Sequence, residues 1–282
     1  MSGLALSVPR TRSTASRAPQ WMLIATALGF LTLMLIVPIV AVLAEALRDG
    51  WNAFGVALLE PDVLAAIRLT LLTAAIVVPV NTLFGLAAAW TVTRFEGRGK
   101  SALVTLIDIP FAVSPVIAGL VFVQLFGTGT VLGGWLRDRG VEILFSTPGI
   151  VIATLFITAP FVARELIAFM ESQGREEEEA AAILGASGWQ TFFRVTLPRI
   201  RWALLYGVVL CASRSIGEFG AVSVVSGHIR GETNTLPLEV EILYDEYQFS
   251  AAFAAASLLM LMAACMTAAA RFAASKTKGE GV

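Results

Sequence analysis

Six runs of mostly apolar residues organise the chain: roughly Trp21–Leu43, Leu64–Trp90, Ala102–Phe126, Pro148–Phe169, Trp202–Ser226 and Ala251–Ala270. Each meets the length of about 20 apolar residues that a helix needs to cross a bilayer. The first and last carry no charge, whereas the middle four hold prolines or an ionisable group. Pro79, Pro110, Pro115 and Pro160 are expected to bend their helices. Membrane proteins tolerate such bends when neighbouring helices satisfy the freed backbone groups. The pattern predicts an all-α, polytopic membrane protein with about six transmembrane helices.

Charge in the connections sets the orientation through the positive-inside rule. Arg10, Arg12 and Arg17 precede the first run; Arg94, Arg98 and Lys100 follow the second. Arg175, Arg194, Arg199 and Arg201 follow the fourth, and Arg271, Lys276 and Lys278 follow the last. The alternate connections are poorer in cations and hold Glu45, Asp49, Glu60 and Asp62, then Glu232, Glu239, Glu241, Asp245 and Glu246. Both termini are therefore expected in the cytoplasm. The chain divides into a mobile tail at 1–20, a transmembrane domain at 21–270 and a cytoplasmic tail at 271–282. Trp21–Leu43 is too long for a signal-peptide core and no small-residue cleavage pattern follows it, so it reads as a retained membrane helix.

Composition agrees: 57% of residues are apolar and 15% charged, a balance that lipid solvates and water does not. A net charge of −1 gives no support to nucleic-acid binding. Cys211 and Cys265 fall inside apolar runs and read as small hydrophobes, and His228 lies alone in a polar connection. Neither a metal set nor a nucleophile with its base is evident, which argues against an intramembrane enzyme. Gly97-Arg98-Gly99-Lys100-Ser101 contains the Gly-Lys-Ser of a phosphate-binding loop. It lacks the first glycine and follows a membrane helix rather than a strand. The chain is expected to bind no cofactor of its own.

The longest cytoplasmic connection, Glu171–Arg201, is patterned. Glu176–Glu179 and three alanines favour a helix; Gly185 and Gly188 break it; a second segment begins near Trp189; Pro198 is expected to end it. Ile183, Leu184, Trp189, Phe192, Phe193 and Leu197 give this helix–turn–helix an apolar face. An interfacial helix would favour Lys and Arg, not four consecutive glutamates.

Glu179-Ala180-Ala181, Gly185 at its spacing, then Val195-Thr196-Leu197-Pro198 resemble the loop motif of ABC-importer permeases, with Val195 where Ile is commonest. The resemblance implies a type I importer permease fold. It implies that the loop is a coupling helix seated in a cleft of a separate ATPase, through Glu179, Ala180, Ala181, Leu184, Gly185, Trp189, Leu197 and Pro198. An ATP-independent carrier or channel would leave this loop unexplained, and no clear inverted repeat is evident.

Ile107–Pro115, Arg214–Val222 with Ser226-Gly227, and Arg230-Gly231-Glu232-Thr233 with Leu236-Pro237-Leu238 look like the W-type (CysW-type) membrane subunit of sulfate/thiosulfate importers. T-type subunits and molybdate permeases share the Gly-Glu-aromatic-Gly element, so another oxyanion such as molybdate is the alternative. The resemblance implies a T-type sister permease, two copies of a cytoplasmic ATPase that holds ATP and Mg, and a periplasmic or extracellular binding protein. It places the chain in the cytoplasmic membrane.

Arg214 falls about 18 Å into the fifth helix from its cytoplasmic start, near mid-membrane, with Glu218 one turn later on the same face. Either the two neutralise each other, or Arg214 lines a pathway and offsets a passing anion. Ser114, Pro115 and Ser215 are further pathway or gating candidates. Asp108, Arg164 and Glu165 are expected to form structural or gating pairs nearer the cytoplasmic side.

Overall fold

The computed structural model describes residues 18–279 except Glu96 and Arg98. Most of the tail assigned to 1–20, and the last residues of the chain, lie outside the described residues. Helix follows helix: α1 (Ala18–Ala46), α2 (Gly50–Leu58), α3 (Pro61–Arg94), α4 (Lys100–Ala112), α5 (Pro115–Phe126) and α6 (Val131–Arg137). Then come α7 (Thr147–Gln173), α8 (Glu176–Ile183), α9 (Gly188–Thr191), α10 (Leu197–Ile216), α11 (Gly220–Val225), α12 (Leu236–Asp245) and α13 (Phe249–Gly279). No strand occurs among the described residues.

Five helices are long and apolar enough to span a membrane: Trp21–Ala46, Pro61–Arg94, Thr147–Gln173, Gly188–Ile216 and Phe249–Ser275. α4 and α5 pass the same test only together, as a pair bent by 105°. Proline chemistry places this break. Pro115 excludes Ser114 from the helical region, and Val113 and Ser114 are extended, with ψ 131° and 136°. Pro115 then opens α5, where its missing N–H costs no helical bond. Pro79, Pro110 and Pro160 are carried inside α3, α4 and α7.

Two sequence expectations are corrected. The fifth run is not one helix to Ser226. It stops at Ile216, crosses Gly217–Phe219 in irregular backbone and resumes as α11. Pro198 does not end a segment. The chain from Gly188 to Ile216 is continuous and widens into a π turn at Phe192–Thr196. There the Leu197 N–H reaches back to the Phe192 carbonyl, which makes room for the proline ring that follows.

The bundle is built on α3 against α7, with α10 packed on both and α13 outside α10. One core cluster gathers Ala89, Val162, Leu166, Met170, Ile200, Ala203 and Cys211 towards the α8–α9 end. A second, towards the opposite end, joins Leu69, Ile150, Ile157, Ala221, Val222 and Leu238. Lipid offers little hydrophobic drive between helices, so close approach matters more. A Cβ on Gly85 would lie 2.8 Å from the Ala163 backbone nitrogen, so only glycine lets α3 and α7 meet there. Asn81, 3% exposed, ties α3 to α7 by donating to the Thr158 hydroxyl (2.8 Å) and the Leu155 carbonyl (3.2 Å).

Candidate functional site

α8, α9 and the turn between them form an elbow at one end of the bundle. None of the residues of α8 is buried. Gly185 holds the turn with φ +86°, a conformation that disfavours side chains, and nothing in the chain lies near its missing Cβ. Ser187 caps α9 in a reciprocal box: its backbone N–H donates to Gln190 Oε1 (2.8 Å), and its hydroxyl accepts from the Gln190 N–H (3.4 Å). Ile183, Leu184, Trp189 and Phe193 are 86%, 88%, 71% and 57% exposed. Trp189 and Phe193 stack at 5.9 Å, giving the patch a flat aromatic end.

The sequence motif separates in space. Glu179, Ala180, Leu184, Gly185 and Trp189 face outward, and Ala181 is half-buried. Leu197 is half-buried against the neighbouring core cluster and Phe192 is buried, stacked on Trp90 of α3 at 4.6 Å. The expectation that Phe192 and Leu197 share the bare apolar face is therefore corrected: both turn into the bundle. Pro198 is exposed in the first turn of α10.

Sequence reasoning missed how the elbow is held. Arg94, in the last turn of α3, grips Glu178 with Nε–Oε2 at 2.6 Å and Nη2–Oε1 at 3.0 Å. The Thr196 hydroxyl donates to the same Glu178 Oε1 at 2.7 Å. Arg175 donates to the Thr93 carbonyl, one of the acceptors that the end of α3 leaves open. Arg199 donates to the Gln173 carbonyl and side chain, both at 2.9 Å. Within Glu176–Glu179 nothing local marks Glu178, and its partner stands 84 residues upstream.

The pathway candidates meet at two helix breaks. Gly220 packs on Pro115, and a Cβ on Gly119 would lie 2.9 Å from the Ala221 carbonyl oxygen, so the α4–α5 and α10–α11 breaks abut. Ser114 is exposed in the first break and Ser215 is buried beside the second. Arg214 lies in the last turn of α10, not in mid-helix, and pairs with Glu218 at 2.7 Å. The Glu218 side chain is 1% exposed and that of Arg214 32%. Glu218 Oε1 also accepts the Ala221 N–H at 3.0 Å, so it satisfies a donor freed by the break. The cation sits at the carbonyl end of α10, where the helix dipole favours it. Arg164 and Asp108 pair at 2.6 Å between α7 and α4.

Residues 81–279 match the family described as the inner membrane component of binding-protein-dependent transport systems. The chain belongs to this family. The permease is 54% identical over 244 residues to the sulfate transport system permease protein CysW of Escherichia coli (strain K12), covering 86% of this chain and 84% of that one. It is 48% identical over 260 residues to the protein of the same name from Synechocystis, covering 92% of each. The sulfate transport system permease protein CysT of Escherichia coli (strain K12) is 37% identical over 235 residues, covering 83% of this chain and 85% of that one. The ordering agrees with the W-type resemblance carried by Arg230–Thr233. The solved bacterial ABC transporter involved in import of the acidic polysaccharide alginate has a chain with TM-score 0.75 and 18% identity, spanning 94% of this chain and 98% of that one. That likeness shows the fold.

Proposed function

We propose that this permease carries sulfate and thiosulfate inward across the cytoplasmic membrane, driven by a separate ATPase that docks on the elbow. The observation that carries the coupling role is the elbow itself. Four large apolar side chains stand bare on a segment whose other exposed residues are mostly polar, and the segment is anchored rather than loose. A bare apolar patch at a fixed place is what a partner's cleft requires. The relatives' names supply the anion class, and the T-type relatives supply the sister subunit with which the chain pairs. ATP and Mg belong to two ATPase copies, and a binding protein delivers the anion at the far face.

The charge distribution supports an elbow facing the cytoplasm. Arg94, Lys100, Arg175, Arg194, Arg199 and Arg201 gather at its end, while Asp49, Glu60, Asp62, Glu239 and Glu246 gather at the other. The test is radiolabelled sulfate uptake in cells deprived of this chain and then resupplied with it. Uptake returns, unlabelled thiosulfate suppresses it, and an ATPase co-purifies with the permease. A permease that restores uptake with no nucleotide-hydrolysing partner refutes the reading, and suppression by molybdate alone reassigns the anion.

A further inference from the structure

The elbow is joined covalently to α7 and α10, so any push upon it reaches those two helices through the chain. α3 has no covalent connection to it; α3 packs along α7, and its end is held to the elbow side at three further points: Trp90 by Phe192, the Thr93 carbonyl by Arg175, and Arg94 by Glu178. Apolar burial does not fix α8 to the bundle, since none of its residues is buried. Polar contacts do that work. We propose that Arg94, Glu178 and Thr196 form a clamp that makes α3 a third driven helix, so that the elbow and the adjoining ends of α3, α7 and α10 move as one body.

Geometry favours this trio over the other charges nearby. The Arg94 and Glu178 side chains are 11% and 15% exposed, against 23% and 59% for Arg199 and Glu177 and 42% and 53% for Lys100 and Glu171. Exposed pairs are screened and contribute little, whereas a shielded ion pair with a charge-assisted hydrogen bond at Nη2–Oε1 holds the two ends together. Each charge also complements its helix: Arg94 at the carbonyl end of α3, Glu178 in the first turn of α8. Thr196 shares Oε1 of the same carboxylate with Arg94, from the π turn that leads into α10. One carboxylate thereby joins three elements, and both of its partners are specified by this chain alone. Arg94 and Glu178 are positioning residues; neither needs to touch the ATPase or the anion.

The inference rests on the coupling role proposed above, and its test separates the two. The complete transporter is reconstituted in vesicles with Arg94→Glu, Glu178→Arg, the double exchange, Glu178→Gln and Thr196→Val. Three quantities are read: ATPase retained on purification, ATP hydrolysed, and sulfate imported per ATP. The charge-reversed singles keep the ATPase and hydrolyse ATP, but sulfate imported per ATP falls roughly tenfold, the scale of a typical coupling energy. Glu178→Gln and Thr196→Val, which preserve shape, show smaller losses in the same ratio, and the double exchange recovers most of the lost import. Native import per ATP in both Glu178→Gln and Arg94→Glu overturns the clamp and leaves the coupling role standing. Loss of ATPase retention in the Gln and Val variants also overturns it, because the trio would then shape the docking face itself. Absence of an ATPase from the unaltered permease overturns the coupling role first.

Discussion

Two short helices in connecting segments, α8 and α12, are held in opposite ways. α8 has no buried residue and is fastened by ions; α12 buries Leu236 and Leu243 against α3 and α13 and Leu238 in the core shared by α3, α7 and α11. The Leu236 N–H donates to Thr70 of α3 at 2.8 Å, and the Asn234 side chain donates to Glu239 at 3.0 Å. Packing makes α12 part of the bundle. Clamping gives α8 a fixed place while leaving its apolar face for another molecule. The contrast separates a helix that stabilises the fold from one that transmits to a partner, although both lie in connections between spans.

Breaking the contrast from the α12 side carries the largest effect. Leu238 is fully enclosed, so Leu238→Ala is expected to cost about 2–5 kcal/mol through lost packing and a residual cavity. The measurement is thermal unfolding of the purified permease in detergent. An unchanged melt would return α12 to the status of a loop. Gly185→Val comes next: forcing a β-branched side chain to φ +86° strains the elbow turn by about 1–3 kcal/mol. Membrane insertion should persist and sulfate import should fail; normal import would show that the turn geometry is dispensable. Trp189→Ala sharpens the other side. Its side chain is 71% exposed, so stability should shift by no more than about 0.5 kcal/mol while ATPase retention drops. A lower melt with full retention would reverse the assignment.

The smallest effect concerns pH. Burial pushes the Glu239 carboxyl above its ordinary value of 4.5, with Asp62 adding to the rise and Asn234 and Arg230 opposing it. A carboxyl raised by folding stabilises the protein fully below its unfolded value, and the contribution disappears as pH climbs through the folded value. The melt should therefore fall from pH 4.5 upward until Glu239 has ionised, then level off. Glu239→Gln should flatten that fall. A melt that rises over the same interval in the native chain, and is unaffected by Gln, would show that the Glu239 charge is fully compensated.

Hydropathy made the spans legible because each depends on composition over some twenty residues. What it hid depends on single backbone angles or on distant partners. The break at Gly217–Phe219 puts one carboxylate into an otherwise apolar run, and only the Glu218 contact with the Ala221 N–H shows why the chain can stop there. α12 read as a polar connection because a carboxylate, Glu239, occupies its buried stripe between Leu236 and Leu243. The elbow's outer face was legible in Leu184, Gly185 and Trp189. Its anchorage was not, since Arg94 and Thr196 approach Glu178 from different helices. The α4–α5 pair fell between these cases: Pro115 announced a bend, but not its 105°.

The wide turn at Phe192–Thr196 has one more consequence. It lodges an extra residue in an otherwise regular rod, and one residue is worth about 100° of rotation about the axis. The compass bearing of Trp189 relative to α10 is thus written as a count, not as a flexible joint. Deleting Val195 would leave the span long enough to cross, yet aim the aromatic end of the elbow roughly a quarter-turn away and carry Glu178 off its partners.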